Sequence, residues 1–164
     1  MTNRFLKLYI FALFLLIGYQ VYGAPPLSLR ISNGTPAFSV DVADLSGTAG
    51  TDTVAIENTT TILELDVTKT NGNWQMEVAL SDVTAWNTNF NLSVKRNGNG
   101  TGGITIAGGT SYLTLTETDQ TFFTGTGDTT NIPIQYMIGP GLASQGAVVT
   151  TYTVEITFTL TDGL

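Results

Sequence analysis

The side chains that carry most enzymatic chemistry are missing from this chain. Its 164 residues include no histidine and no cysteine. That removes the commonest general base, the thiol nucleophile and the imidazole and thiolate metal donors. Serine and threonine are plentiful, but a hydroxyl nucleophile needs a base beside it. Beyond residue 23 only Lys69 and Lys95 could serve. Lys69 flanks a turn and Lys95 ends a strand beside Arg96, so neither stands in a catalytic spacing. Carboxylate pairs hydrolyse glycosides, and clustered oxygens hold calcium. Asp41, Asp44, Glu64 and Asp66 fall in loops or on the polar phase of alternating runs, the pattern of a solvated face. Asp41-Val42-Ala43-Asp44 and the stretch from Asp119 to Asp128 lack the EF-hand spacing. The sequence therefore predicts a non-enzymatic protein with no cofactor and no catalytic or metal residues.

Binding chemistry is the better prospect. Trp74 is in phase with Met76 and Val78 and reads as core. Trp86 lies in a polar stretch, Ser81 to Thr88, with no apolar residue in phase. An indole there is either a lid over the core or an exposed platform for a sugar ring. Four Asn-x-Ser/Thr triplets, at Asn33, Asn58, Asn91 and Asn99, match the glycosylation pattern and arise readily in a chain rich in Asn and Thr.

The elements that position these residues alternate with a period of two. Leu27, Leu29 and Ile31 follow a Pro25-Pro26 lead-in; Phe38, Val40 and Val42, then Leu63, Leu65 and Val67, repeat the pattern. So do Trp74, Met76, Val78 and Leu80; Phe90, Leu92 and Val94; and Ile132, Ile134, Tyr136 and Ile138. Side chains alternate faces along a strand, so each run has one dry face. Glycine- and asparagine-rich segments separate the runs, and no helical period is sustained. The prediction is an all-β antiparallel sandwich, Ig-like or jelly-roll-like, of about eight to ten strands. Asn71-Gly72 predicts a tight hairpin joining the runs on either side of it. Pro133 predicts an edge strand or a strand start. The closing run from Tyr152 to Leu160 is expected to lay Tyr152, Val154, Ile156, Phe158 and Leu160 into one core, with the earlier strands around it.

Residues 1–23 read as a cleaved secretory signal, with Arg4 and Lys7 ahead of an apolar run of about ten residues, too short to span a bilayer. Val21 and Gly23 sit at positions −3 and −1 of a cut before Ala24. Residues 24–164 then form one domain, with no transmembrane segment. The whole chain carries a net charge of −7; with Arg4 and Lys7 removed, four basic residues face 13 acids, giving −9. Such a surface argues against nucleic acid and against anionic lipid. The absence of cysteine means that an exported fold here does without disulfides.

Two stretches resemble the WxL domain, a Gram-positive cell-wall-binding family. Phe90-Asn91-Leu92 lies where that family has its central Trp-x-Leu. Tyr152-Thr153-Val154-Glu155-Ile156-Thr157-Phe158-Thr159-Leu160-Thr161-Asp162-Gly163 resembles its C-terminal motif. The similarity runs from about residue 50 to 163; Phe90 and Phe158 occupy the two signature Trp positions, and Asp-Gly replaces Asp-Ala-Pro. The resemblance implies a secreted module at a bacterial cell surface, extracellular or periplasmic. Its partners would be cell-wall polysaccharide or other surface proteins. Trp86, Phe90, Leu92 and Phe158 are the candidate binding residues. A second reading is a fimbrial or coat-like subunit that self-assembles by strand addition. Its donor would be Leu27, Leu29 and Ile31, although pairing of that segment within its own domain is the favoured expectation.

Overall fold

The computed structural model describes residues 27–33, 54–58, 63–68, 70, 72–140 and 151–162. The expected signal segment, the run at Phe38 to Val42 and the loop at Asp44 to Asp52 lie outside them. Ten strands are described, and no helix: β1 Ser28–Asn33, β2 Ile56–Glu57, β3 Leu63–Thr68, β4 Asn73–Leu80, β5 Leu92–Arg96, β6 Ile106–Gly108, β7 Leu113–Thr114, β8 Gln120–Thr126, β9 Thr129–Ile138 and β10 Ile156–Asp162. They form two antiparallel sheets packed face to face, the sandwich that the alternation predicts. The larger sheet runs β1-β3-β9-β5-β7, with β2 also on β9. The smaller runs β10-β4-β8-β6.

The core fills the space between the sheets. Leu63, Leu65 and Val67 of β3 and Ile132, Ile134 and Tyr136 of β9 line one side. Trp74, Met76 and Val78 of β4 and Phe122 and Phe123 of β8 line the other. Two adjacent phenylalanines reach the core because β8 bulges. Met76 pairs with Phe123 and Glu77 with Thr121, which leaves Phe122 as the extra residue and resets the phase. A second bulge falls in β9, where Leu65 pairs with Ile132 and Val67 with Thr129. There Asn131 takes a left-handed φ of 55°, a conformation asparagine tolerates, and its N–H donates to the Asp66 carboxylate at 2.8 Å.

Three sequence expectations are corrected. First, Asn71-Gly72 does not close a hairpin. β3 and β4 lie in different sheets, so the chain crosses the sandwich between them. Two strands with matching alternation can pair side by side or face each other across a core, and periodicity does not distinguish the two. The crossing is held by Asp128, whose carboxylate accepts the Thr70 N–H at 2.9 Å and the Thr70 hydroxyl at 3.0 Å. Second, the closing strand is an edge among the described strands and begins only at Ile156. Of its five expected core residues Phe158 alone is buried; Tyr152, Val154, Ile156 and Leu160 pack partly buried against the core margin. Third, Pro133 sits inside β9, between β3 and β5. Its carbonyl accepts the Asn97 N–H at 2.8 Å. Its nitrogen faces the same side, opposite Asn97 and just past Arg96, the last residue of β5, so the missing donor falls beyond the end of that strand.

β1 pairs with β3 of its own chain, in line with the favoured expectation for that segment. Trp74 is core, fully buried, with its ring edge-on to Phe123 at 6.0 Å. Its indole N–H donates to the Gly127 carbonyl at 2.8 Å. The ring lies flat over Gly125, where a Cβ would overlap its six-membered ring. Gly125→Ala is therefore expected to destabilise the protein by about 1–3 kcal/mol, the usual range for overpacking. Equilibrium urea unfolding checks this, and an unchanged midpoint would contradict the packing described.

Candidate functional site

Residues 81–91 connect β4 of the smaller sheet to β5 of the larger. Two short turns shape this loop. The Asp82 carboxylate accepts the Thr84 N–H at 2.9 Å and the Thr84 hydroxyl at 2.7 Å. Those two bonds, the backbone one foremost, hold the exposed Asp82 carboxyl below its ordinary range. Asn87 Oδ1 then accepts the Asn89 N–H at 3.0 Å, and the Phe90 N–H donates to the Asn87 carbonyl at 2.9 Å. Residues 151–155 run alongside: Thr153 N–H donates to Ala85 O at 3.1 Å and Glu155 N–H to Asp82 O at 3.0 Å.

The result is a ladder of three aromatic rings. Trp86 meets Phe90 edge-on at 5.4 Å, and Phe90 meets Tyr152 edge-on at 4.9 Å. Trp86 is half-buried against the core and keeps part of its surface exposed. Its indole N–H is buried and has no hydrogen-bond partner among the described residues. Of the four candidate binding residues, the structure brings Trp86 and Phe90 together. Phe90, Leu92 and Phe158 are all buried, and of these Phe90 alone is shown packing against Trp86. Phe158 lies in the smaller sheet, 6.4 Å from Phe122. Tyr152 is the member that periodicity misplaced: its phase matches β10, but the strand starts four residues later.

A second group of polar side chains occupies the outer face of the larger sheet. Lys95 and Gln135 are register partners there, and the Gln135 amide donates to the Glu57 carboxylate at 3.0 Å. The Lys95 ammonium stands 4.3 Å from the centroid of the Tyr112 ring, a cation–π contact. The Tyr112 hydroxyl is buried and faces Glu57 without a normal hydrogen-bond geometry. Burial first, and the Glu57 carboxylate second, push its phenol up to about 12. Beside this group, Gly108, Gly109, Thr110, Ser111, Tyr112 and Phe122 border an open recess of about 300 Å³.

Arg96, the next residue along β5, points inward and is buried. Its guanidinium donates to the Gly108 carbonyl at 2.8 Å and the Gly98 carbonyl at 2.8 Å, and also to Asn99 Oδ1. It lies 5.9 Å from the Phe123 ring centroid, and burial lowers its pKa from the ordinary arginine value. These bonds tie β5 to β6 in the opposite sheet. No group of three or more Asp or Glu side chains suited to a metal ion occurs among the described residues. Comparison of the chain with protein-family models, curated proteins and solved structures finds no match.

The two perturbed phenols set an alkaline limit. Burial also raises the Tyr136 phenol. A group whose folded pKa is raised keeps its proton in the native state after the unfolded chain has lost it, so stability falls as pH climbs past the unfolded value. For Tyr112 that window runs from 10.0 to about 12. Tyr112→Phe is expected to make the loss of stability across this window shallower, with the remaining slope owed to Tyr136. Urea unfolding at a series of alkaline pH values reads it; an unaltered slope would remove Tyr112 from the account.

Proposed function

We propose that this protein is an exported, non-enzymatic module that binds a cell-wall or other surface polymer at a bacterial cell surface, through the loop end that carries Trp86. The supporting observation is the mounting of Trp86. A partly exposed tryptophan is braced edge-on by Phe90, which is itself backed edge-on by Tyr152, in a loop whose neighbours are Asp82, Thr84, Asn87 and Asn89. A sugar ring needs both an apolar platform and adjacent hydroxyl, amide or carboxylate groups, and a rigid aromatic loses little entropy on binding. The acidic balance of the chain favours a neutral or basic polymer over a phosphate-rich one. The leader-like residues 1–23 and the likeness to the WxL family support placement at the cell surface.

Co-sedimentation with purified peptidoglycan and with other insoluble polysaccharides tests this reading. Retention on one of these polymers is expected, with Trp86→Ala weakening it at least tenfold, equivalent to about 1.4 kcal/mol. A thermal melt of the variant separates lost binding from lost fold. Failure of every polymer to retain the protein, or equal retention of a folded Trp86→Ala variant, overturns the proposal.

A further inference from the structure

A sheet edge exposes unpaired backbone donors and acceptors, which proteins blunt with brevity, charge, proline or bulges. Four of the five edge strands described here carry such devices, β2 being only two residues long. β6 has three residues and ends on Gly108 at a φ of 83°; β7 has two. β1 carries Arg30 and a register shift between Ile31 and Asn33. β10 has none of these except Asp162 at its last position. It pairs with β4 through seven consecutive residues without a shift, and it contains no lysine, arginine, proline or glycine.

The direction of its free groups follows from the ladder. Ser81 N–H donates to the Glu155 carbonyl at 2.9 Å, so Glu155 faces the β4 side. Alternation along the strand turns the backbone groups of Thr157, Thr159 and Thr161 the same way, and those of Ile156, Phe158, Leu160 and Asp162 outward. No described strand pairs with that outer side.

We infer that this edge is a self-association surface, on which β10 of one copy pairs antiparallel with β10 of a second about a twofold axis. The two four-stranded sheets then become one continuous sheet. In a register centred on Phe158, Ile156 lies opposite Leu160 of the second copy, and Thr157 opposite Thr159. Apolar side chains meet on the core side and hydroxyls on the outer side. Ile156 and Leu160, half-buried in one copy, gain cover from the other. Asp162, the one charged residue of β10, falls opposite Val154, so no like charges meet. This matters for a chain with a net charge of −7, since any charged surface would repel its copy. The inference stands apart from the polymer-binding proposal and does not use Trp86.

Sedimentation equilibrium of the purified protein over a concentration series tests it, together with hydrogen exchange at the amides of Ile156, Phe158 and Leu160. A reversible dimer is expected, with those amides protected in it. Thr157→Lys/Thr159→Lys places lysine opposite lysine on the outer face without touching the core. That variant should be monomeric, keep the parent's near-ultraviolet circular dichroism and lose the protection. Mixing it with Thr157→Glu/Thr159→Glu should restore a dimer by opposite charge. A parent protein that is monomeric at every concentration, or a dimer indifferent to the lysines, overturns the inference. So does protection that persists in the monomeric lysine variant, because the chain would then cover its own edge.

Discussion

The described fold depends on closing two sheets over one indole. Trp74 is the largest fully buried side chain, and it lies where the chain crosses between sheets twice. One crossing leads from β3 to β4 and the other from β8 to β9. A buried indole N–H must find an acceptor or lose its hydration uncompensated. It finds the Gly127 carbonyl, in the second crossing. Gly127 N–H in turn donates to the Gly72 carbonyl, in the first, at 3.2 Å. Gly125 supplies the space that lets the ring lie against β8. Four strands, β3, β4, β8 and β9, are thus placed relative to one another by a small set of contacts at one end. The rest of each sheet is added at their flanks.

That arrangement shows why part of the architecture is legible in the sequence and part is not. Alternation at Leu63, Leu65 and Val67, and again at Trp74, Met76 and Val78, marks two strands with dry faces. It does not say whether those faces lie beside or opposite each other. Asn71-Gly72 is a good hairpin turn by local chemistry. The tertiary demand of Trp74 and the Asp128 contacts with Thr70 override that preference. Phe122-Phe123 breaks the period because β8 bulges, and a bulge leaves no sign in composition. Pro133 fits a central strand because its missing N–H falls just past the end of β5, opposite Asn97. Where β5 stops relative to β9 is not legible in the sequence.

The candidate site follows the same division. A polar loop containing an out-of-phase tryptophan is visible in the sequence, and so is its choice between lid and platform. The structure makes Trp86 partly both: its indole nitrogen is buried while part of the residue stays exposed. Tyr152 joins the ladder through a segment that periodicity assigned to the final strand. The closing strand itself changes role. Read as periodicity it looks like the centre of the core, yet β9, with buried residues along its length, holds that place. Among the described strands β10 is a margin, with a threonine-lined outer face and a backbone edge whose one charged residue is Asp162.

The crossing between β3 and β4 is the claim on which this account rests, and the lack of native cysteine makes it directly testable. An Asn71-Gly72 hairpin would pair Thr70 with Asn73 and hence Thr68 with Gln75. In the structure Gln75 instead pairs with Thr161, while Thr68 lies in the other sheet. Directly opposed residues in an antiparallel pair are about 4.5–5.5 Å apart at Cα, within disulfide reach. Two facing sheets are about 10 Å apart, beyond it for side chains on opposite outer faces. Under mild oxidation, Gln75→Cys/Thr161→Cys is predicted to form an intramolecular disulfide and Thr68→Cys/Gln75→Cys to remain reduced. The reverse pattern would contradict the account.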